Sequence, residues 1–172
     1  MRRIRVIGVL VCVLLLLGCA TNLEDGTAYL EAKDYEQAAV CFQKDIAEEK
    51  HLAEAYRGLG IAQYELGEYE AALEAFEMAR ASGAEETATF YSLMAACQMQ
   101  MEAYEAAMES YAKVLEQGDC TEELRQEARY NEIAICQELS DWELAKEKVA
   151  SYVEDYPEDS RMNKTAEFLE TR

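Results

Sequence analysis

Apolar positions along this chain recur on two nested periods. In Tyr69-Glu-Ala-Ala-Leu-Glu-Ala-Phe-Glu-Met-Ala, residues 69, 72, 73, 76 and 79 fall on one face of a helix. The preceding segment, Ala53 to Leu66, carries a second apolar face with Tyr56, Leu59 and Gly60, and Gly67-Glu68 breaks the two apart. The longer period is marked by aromatic residues at Tyr35, Tyr69, Tyr104 and Trp142, spaced 34, 35 and 38 residues apart. Three residues after each stands Ala38, Ala72, Ala107 or Ala145, and seven after stands Phe42, Phe76, Tyr111 or Val149. Nine before each comes Gly26, Gly60, Ala95 or Ile133. This pattern predicts four helix–turn–helix units, with small residues where two antiparallel helices approach and an aromatic residue at each turn. Asp34 with Gln37, and Ser140 with Glu143, have the spacing of a capping box and predict two second-helix starts. Past Pro157, Asp159-Ser160 can start a last helix running to about Thr171. Its Met162, Ala166 and Leu169 side can cover the end of the array while Lys164, Glu167 and Glu170 face water.

Composition narrows the picture to helices. The 172 residues contain one Pro, much Ala, Glu and Leu, and few β-branched residues after position 20. Three of the 16 basic residues precede Cys19 and all 35 carboxylates follow it, which leaves −22 from residue 20 onward. A surface so acidic repels phosphate backbones, which excludes nucleic acid as a partner. It also repels anionic headgroups, so basic residues cannot hold it on a membrane. The start of the chain differs in kind: Arg2, Arg3 and Arg5 precede an apolar run of 12 residues, Val6 to Leu17. A spanning helix needs about 20 such residues, so this run reads as a secretory signal.

Two resemblances follow from these residues. Leu16-Leu17-Gly18-Cys19 resembles a bacterial lipoprotein box, with Leu17 bulkier than is usual at its site. The resemblance implies that residues 1–18 are removed and that Cys19 carries acyl chains on its thiol and amine, an anchor in the cell membrane or outer membrane. Ala20 is not the Asp that retains such proteins on an inner membrane in some bacteria. The second copy, Ala-Glu-Ala-Tyr-Arg-Gly-Leu-Gly followed by Gly-Glu-Tyr-Glu-Ala-Ala-Leu-Glu-Ala-Phe-Glu-Met-Ala, resembles the tetratricopeptide repeat. The expected fold class is all-α: an α-solenoid of about four such repeats over residues 19–157, with a C-terminal capping helix over 158–172. Asn22 and Asp25 in the first copy, and Arg129, Glu132 and Ile133 in the fourth, depart from the family's columns.

Reactive chemistry is sparse. His51 is the only His and reads as an exposed helix-start residue. Spacing for a metal or a phosphate loop is missing, so the expectation is a non-enzyme without cofactor or metal. Cys41, Cys97 and Cys136 read as small residues inside helices and Cys120 as a loop residue, their pairing left open. The repeat resemblance implies a concave groove lined by the first helices, with Arg57, Ile61, Tyr64, Met99, Tyr130 and Asn131 as partner-binding residues. The reading is a lipid-anchored adaptor of the bacterial envelope that binds a protein or peptide, with basic residues favoured by charge. Its rivals are a pilotin-type assembly factor for a secretion or pilus complex, and a structural protein that associates with itself.

Overall fold

The computed structural model describes residues 21–170. The predicted signal 1–18, Cys19, and the end of the capping segment at 171–172 lie outside the described residues. The described stretch holds nine α-helices in sequence: α1 Asn22–Glu31, α2 Tyr35–Ala47, α3 Leu52–Glu65, α4 Tyr69–Ala81, α5 Ala88–Gln100, α6 Tyr104–Glu116, α7 Glu122–Glu138, α8 Trp142–Asp155 and α9 Arg161–Glu170. Each second helix begins at its predicted aromatic residue.

The four turns inside the units share one construction. In the first, Lys33 N–H donates to Leu30 C=O and Asp34 N–H to Tyr29 C=O, both at 2.9–3.0 Å, which closes a helix by the Schellman pattern. The same two bonds recur from Gly67 and Glu68, Glu102 and Ala103, and Ser140 and Asp141. The pattern requires a left-handed residue, and Lys33, Gly67, Glu102 and Ser140 hold φ of 60°, 78°, 58° and 57°. Asp34 then caps α2 by accepting from Gln37 N–H, as predicted. At the fourth turn the prediction needs correction. Ser140 occupies the left-handed position, so Asp141 is the cap of α8 and accepts from Leu144 N–H at 3.2 Å.

Packing follows the columns. Gly26 lies so close to Phe42 that an added Cβ would sit 2.7 Å from the ring, and Gly60 meets Phe76 at 2.8 Å. Gly58 on α3 faces the same Phe42 ring from the next unit, where an added Cβ would sit 2.4 Å from it. The apolar interior forms three clusters along the array: Ala38, Phe42, Ala55, Leu59 and Ala62 at one end, a central group around Phe76, Phe90 and Tyr111, and Ile133, Cys136, Val149, Met162 and Leu169 at the other. Met162 and Leu169 are thus buried as predicted, where α9 packs against α8. The backbones of the first helices come close to one another in order, α1 to α3, α3 to α5 and α5 to α7, while those of the second helices stand further apart. The stack therefore curls, with the first helices on its inner side.

Candidate functional site: the inner face of the array

Arg57, Ile61 and Tyr64 project from one face of α3 at helical spacing. Arg57 is exposed and Ile61 half-buried beside it. Both border a cleft of about 270 Å³ between α1 and α3, whose other walls are Leu23, Thr27, Leu30, Glu54 and Gly58, with Phe42 at its base. Arg57 and Glu54 also face a second cleft of about 280 Å³, where Gly83, Ala84 and Glu85 bring in the connection before α5. The first cleft has an apolar floor with one cation and one anion at its mouth, a combination suited to an apolar side chain carried on a polar backbone.

Deeper along the inner face, Tyr64 stacks edge-on against Tyr69, ring centroids 5.8 Å apart. Burial raises the Tyr64 hydroxyl above the ordinary phenol value, with Cys97 and Tyr69 adding to it. Tyr111 is more enclosed: burial, reinforced by Glu127 and Tyr64, pushes it up to about 12. Asn131 Nδ2 donates to its oxygen at 3.0 Å. Met99 is half-buried and packs against the same central cluster. Tyr64 and Asn131 thereby lie beside a tyrosine, Tyr111, that sequence reasoning placed only in the packing columns, and Met99 belongs to the same cluster.

Tyr130 is placed differently. Its ring packs against the C-terminal cluster and lies under the Arg161 guanidinium, 4.4 Å from centroid to Cζ. Arg161 also donates to Glu127 at 2.9 Å and to Asp159, so Tyr130 belongs to the junction of α7 with α9. The structure therefore brings Arg57 and Ile61 into one cleft, joins Tyr64, Met99 and Asn131 in a central group, and sets Tyr130 apart. The cleft walls Leu23, Thr27 and Leu30 went unread. The signal was there, since they stand 34 residues before Arg57, Ile61 and Tyr64.

His51 stands exposed at the start of α3, as expected, and also meets a buried carboxylate. It holds φ 45°, and its Nδ1 lies 3.3 Å from the buried Asp45 carboxylate, which also accepts from Asn22 Nδ2 at 3.0 Å. All four cysteines of the described residues are free thiols. Cys41, Cys97 and Cys136 are buried, and burial pushes Cys97 up to about 11, far from a reactive thiolate.

The family described as Tetratricopeptide repeat matches residues 29–97. Comparison with curated proteins finds no match. Among solved structures, YrrB, described as a TPR protein with an unusual peptide-binding site, superimposes with a TM-score of 0.73 at 18% identity, covering 86% of this chain and 74% of its own. MamA from AMB-1 is similar at TM-score 0.72 and 17% identity, over 86% and 78% of the two chains. The first TPR domain of human RPAP3 gives 0.59 at 22% identity, over 70% and 91%. These comparisons indicate no catalytic family. The described residues form an α-solenoid of tetratricopeptide-type helix pairs, a fold generally used to bind proteins and peptides.

Proposed function

We propose that this chain is a lipid-anchored adaptor of the bacterial cell envelope that holds a protein or peptide against the inner face of its array. The observation that carries the binding site is the α1–α3 cleft, where an apolar base meets Arg57 and Glu54 at the mouth. YrrB, which shares the fold, is described as having a peptide-binding site. The anchor rests on the sequence alone, Leu16-Leu17-Gly18-Cys19 behind a positive start and an apolar run. Acyl chains on Cys19 would place α1 within a few residues of the membrane, and the −22 charge would keep the body off anionic headgroups.

The test is site-directed photo-crosslinking in living cells. A crosslinker at Ile61 is expected to trap one discrete partner, whereas one at Glu74, exposed on α4, traps none. Equal trapping at both sites, or at neither, removes the inner face as the binding site. A trapped ring-forming secretion or pilus component would give the pilotin reading, and a second copy of the chain the structural one. For the anchor, Cys19→Ala is expected to abolish acyl labelling and to accumulate uncut precursor.

A further inference from the structure

Four and eleven residues beyond each turn aromatic, the second helices carry Ala39 and Ile46, Leu73 and Arg80, Met108 and Leu115, and finally Lys146 and Val153. The apolar members in the first three units all pack into core clusters. Met108 shows how: it shares one cluster with Ile133 and Cys136 of α7 and with Ala145 and Val149 of α8. The seat formed by α6 and α7 is thus filled by a helix, α8.

At the end of the array the equivalent seat lies between α8 and α9. It is a cleft of about 480 Å³ lined by Lys146, Val149, Ala150, Val153, Ala166 and Leu169. Val153 remains 38% exposed there, although its equivalents Ile46 and Leu115 are packed. Among the described residues α9 is the last helix.

We infer that this seat receives an amphipathic helix of a partner protein, apolar on the buried face and basic on its flanks. The shape argument is the repeat itself, because the corresponding seat one unit earlier takes a helix. The charge argument selects the partner. Glu143, Glu147 and Glu154 on α8 and Glu167 on α9 are exposed, while Lys146 lies 3.9 Å from Glu143. A second copy of the chain would bring its own −22 to this surface, whereas a basic helix is drawn to it. The site is independent of the inner-face cleft, since none of its residues lines that cleft.

The test uses the full-length protein in phosphatidylcholine nanodiscs, with empty discs as blank. The probe is a labelled peptide of about 15 residues with Leu at i, i+3, i+4 and i+7 positions and Lys between them. Fluorescence anisotropy is expected to show saturable binding, weakened about tenfold or more by Val153→Asp and by Ala150→Glu. Both positions are exposed, and circular dichroism checks that helicity is kept. Tyr64→Ala on the inner face is expected to leave the peptide's affinity unchanged. The proposal is overturned by absent binding, by wild-type affinity in both terminal variants, or by equal loss in Tyr64→Ala. Equal binding of a peptide with Glu in place of Lys also overturns it, as do cross-linked dimers that Val153→Asp abolishes.

Discussion

At the position where Gly60 passes Phe76, the third unit has Ala95 opposite Tyr111 and the fourth has Ile133 opposite Val149. Only in the fourth crossing does a larger first-helix residue go with a smaller partner; the third keeps a full ring against Ala95. Gly60→Ala is expected to destabilise the full chain by about 1–3 kcal/mol, read as a lower Tm, because the new Cβ has no room. Combined with Phe76→Val, the loss should be less than the sum of the two singles. Ala72→Leu and Ala107→Leu, both at fully buried crossings, belong with Gly60→Ala, while Glu70→Gln on the exposed side should leave Tm unchanged. Other departures from the repeat are also compensated in pairs. Asn22, thirteen residues before its aromatic, bonds Asp45 ten residues after; in the fourth unit the same two columns hold Arg129 and Tyr152, with the guanidinium 6.0 Å from the ring centroid. The buried Glu132 is likewise met by Lys148 at 2.8 Å. Asn22→Leu alone should cost about 1–3 kcal/mol, since it removes a partner from a buried carboxylate, and Asn22→Leu with Asp45→Ala should recover most of that in a chemical melt.

Helices and turns were legible in the sequence wherever residue chemistry and backbone demand agreed. Gly67 marks its turn because glycine tolerates φ 78°. Lys33, Glu102 and Ser140 take the same left-handed conformation without advertising it, and this hid the cap of α8 behind Ser140. Glu102→Gly is expected to raise stability by about 1 kcal/mol, and a fall in Tm would mean that the turn is held by something other than its backbone. The first cap was missed for another reason. Thr21 and Glu24 close a full capping box on α1, but Asn22 and Asp25 distracted from an apolar helix start. The attachment of α9 was legible only in its apolar face. Its polar lock is local only in part: Asp159 accepts from Arg161 two residues on, but also from Tyr152 of α8 at 2.5 Å and from Gln126 of α7 at 2.8 Å, partners that no short motif marks. The Arg161 guanidinium, then the Tyr152 hydroxyl, hold the Asp159 carboxyl well below the usual carboxylate range. A lowered carboxyl stabilises the fold at pH values above its unfolded pKa, and that contribution is lost as pH falls toward the folded one. Asp159→Asn is thus expected to melt below wild type at pH 7, with the gap narrowing below about pH 4.

Over the whole molecule, the inner-face groups were visible in the sequence as columns, but the setting apart of Tyr130 was not, because it depends on Arg161 at the start of α9 lying over the Tyr130 ring of α7. The acidic body adds a property that no single contact carries. For the partner trapped at Ile61, replacing exposed outer carboxylates such as Glu77 and Glu109 with Gln should slow association and flatten its salt dependence, with dissociation unchanged in stopped-flow measurements. The equivalence of the crossings has a further consequence. Gly26 and Gly60 stand in the same place relative to Phe42 and Phe76, so excising residues 35–68 would set Gly26 opposite Phe76 and rebuild the contact it removed. The array is then a ruler graduated in whole units at its glycine–ring crossings: its span can be shortened by one pair of helices with that contact kept, while the Asn22–Asp45 bond leaves with the excised residues.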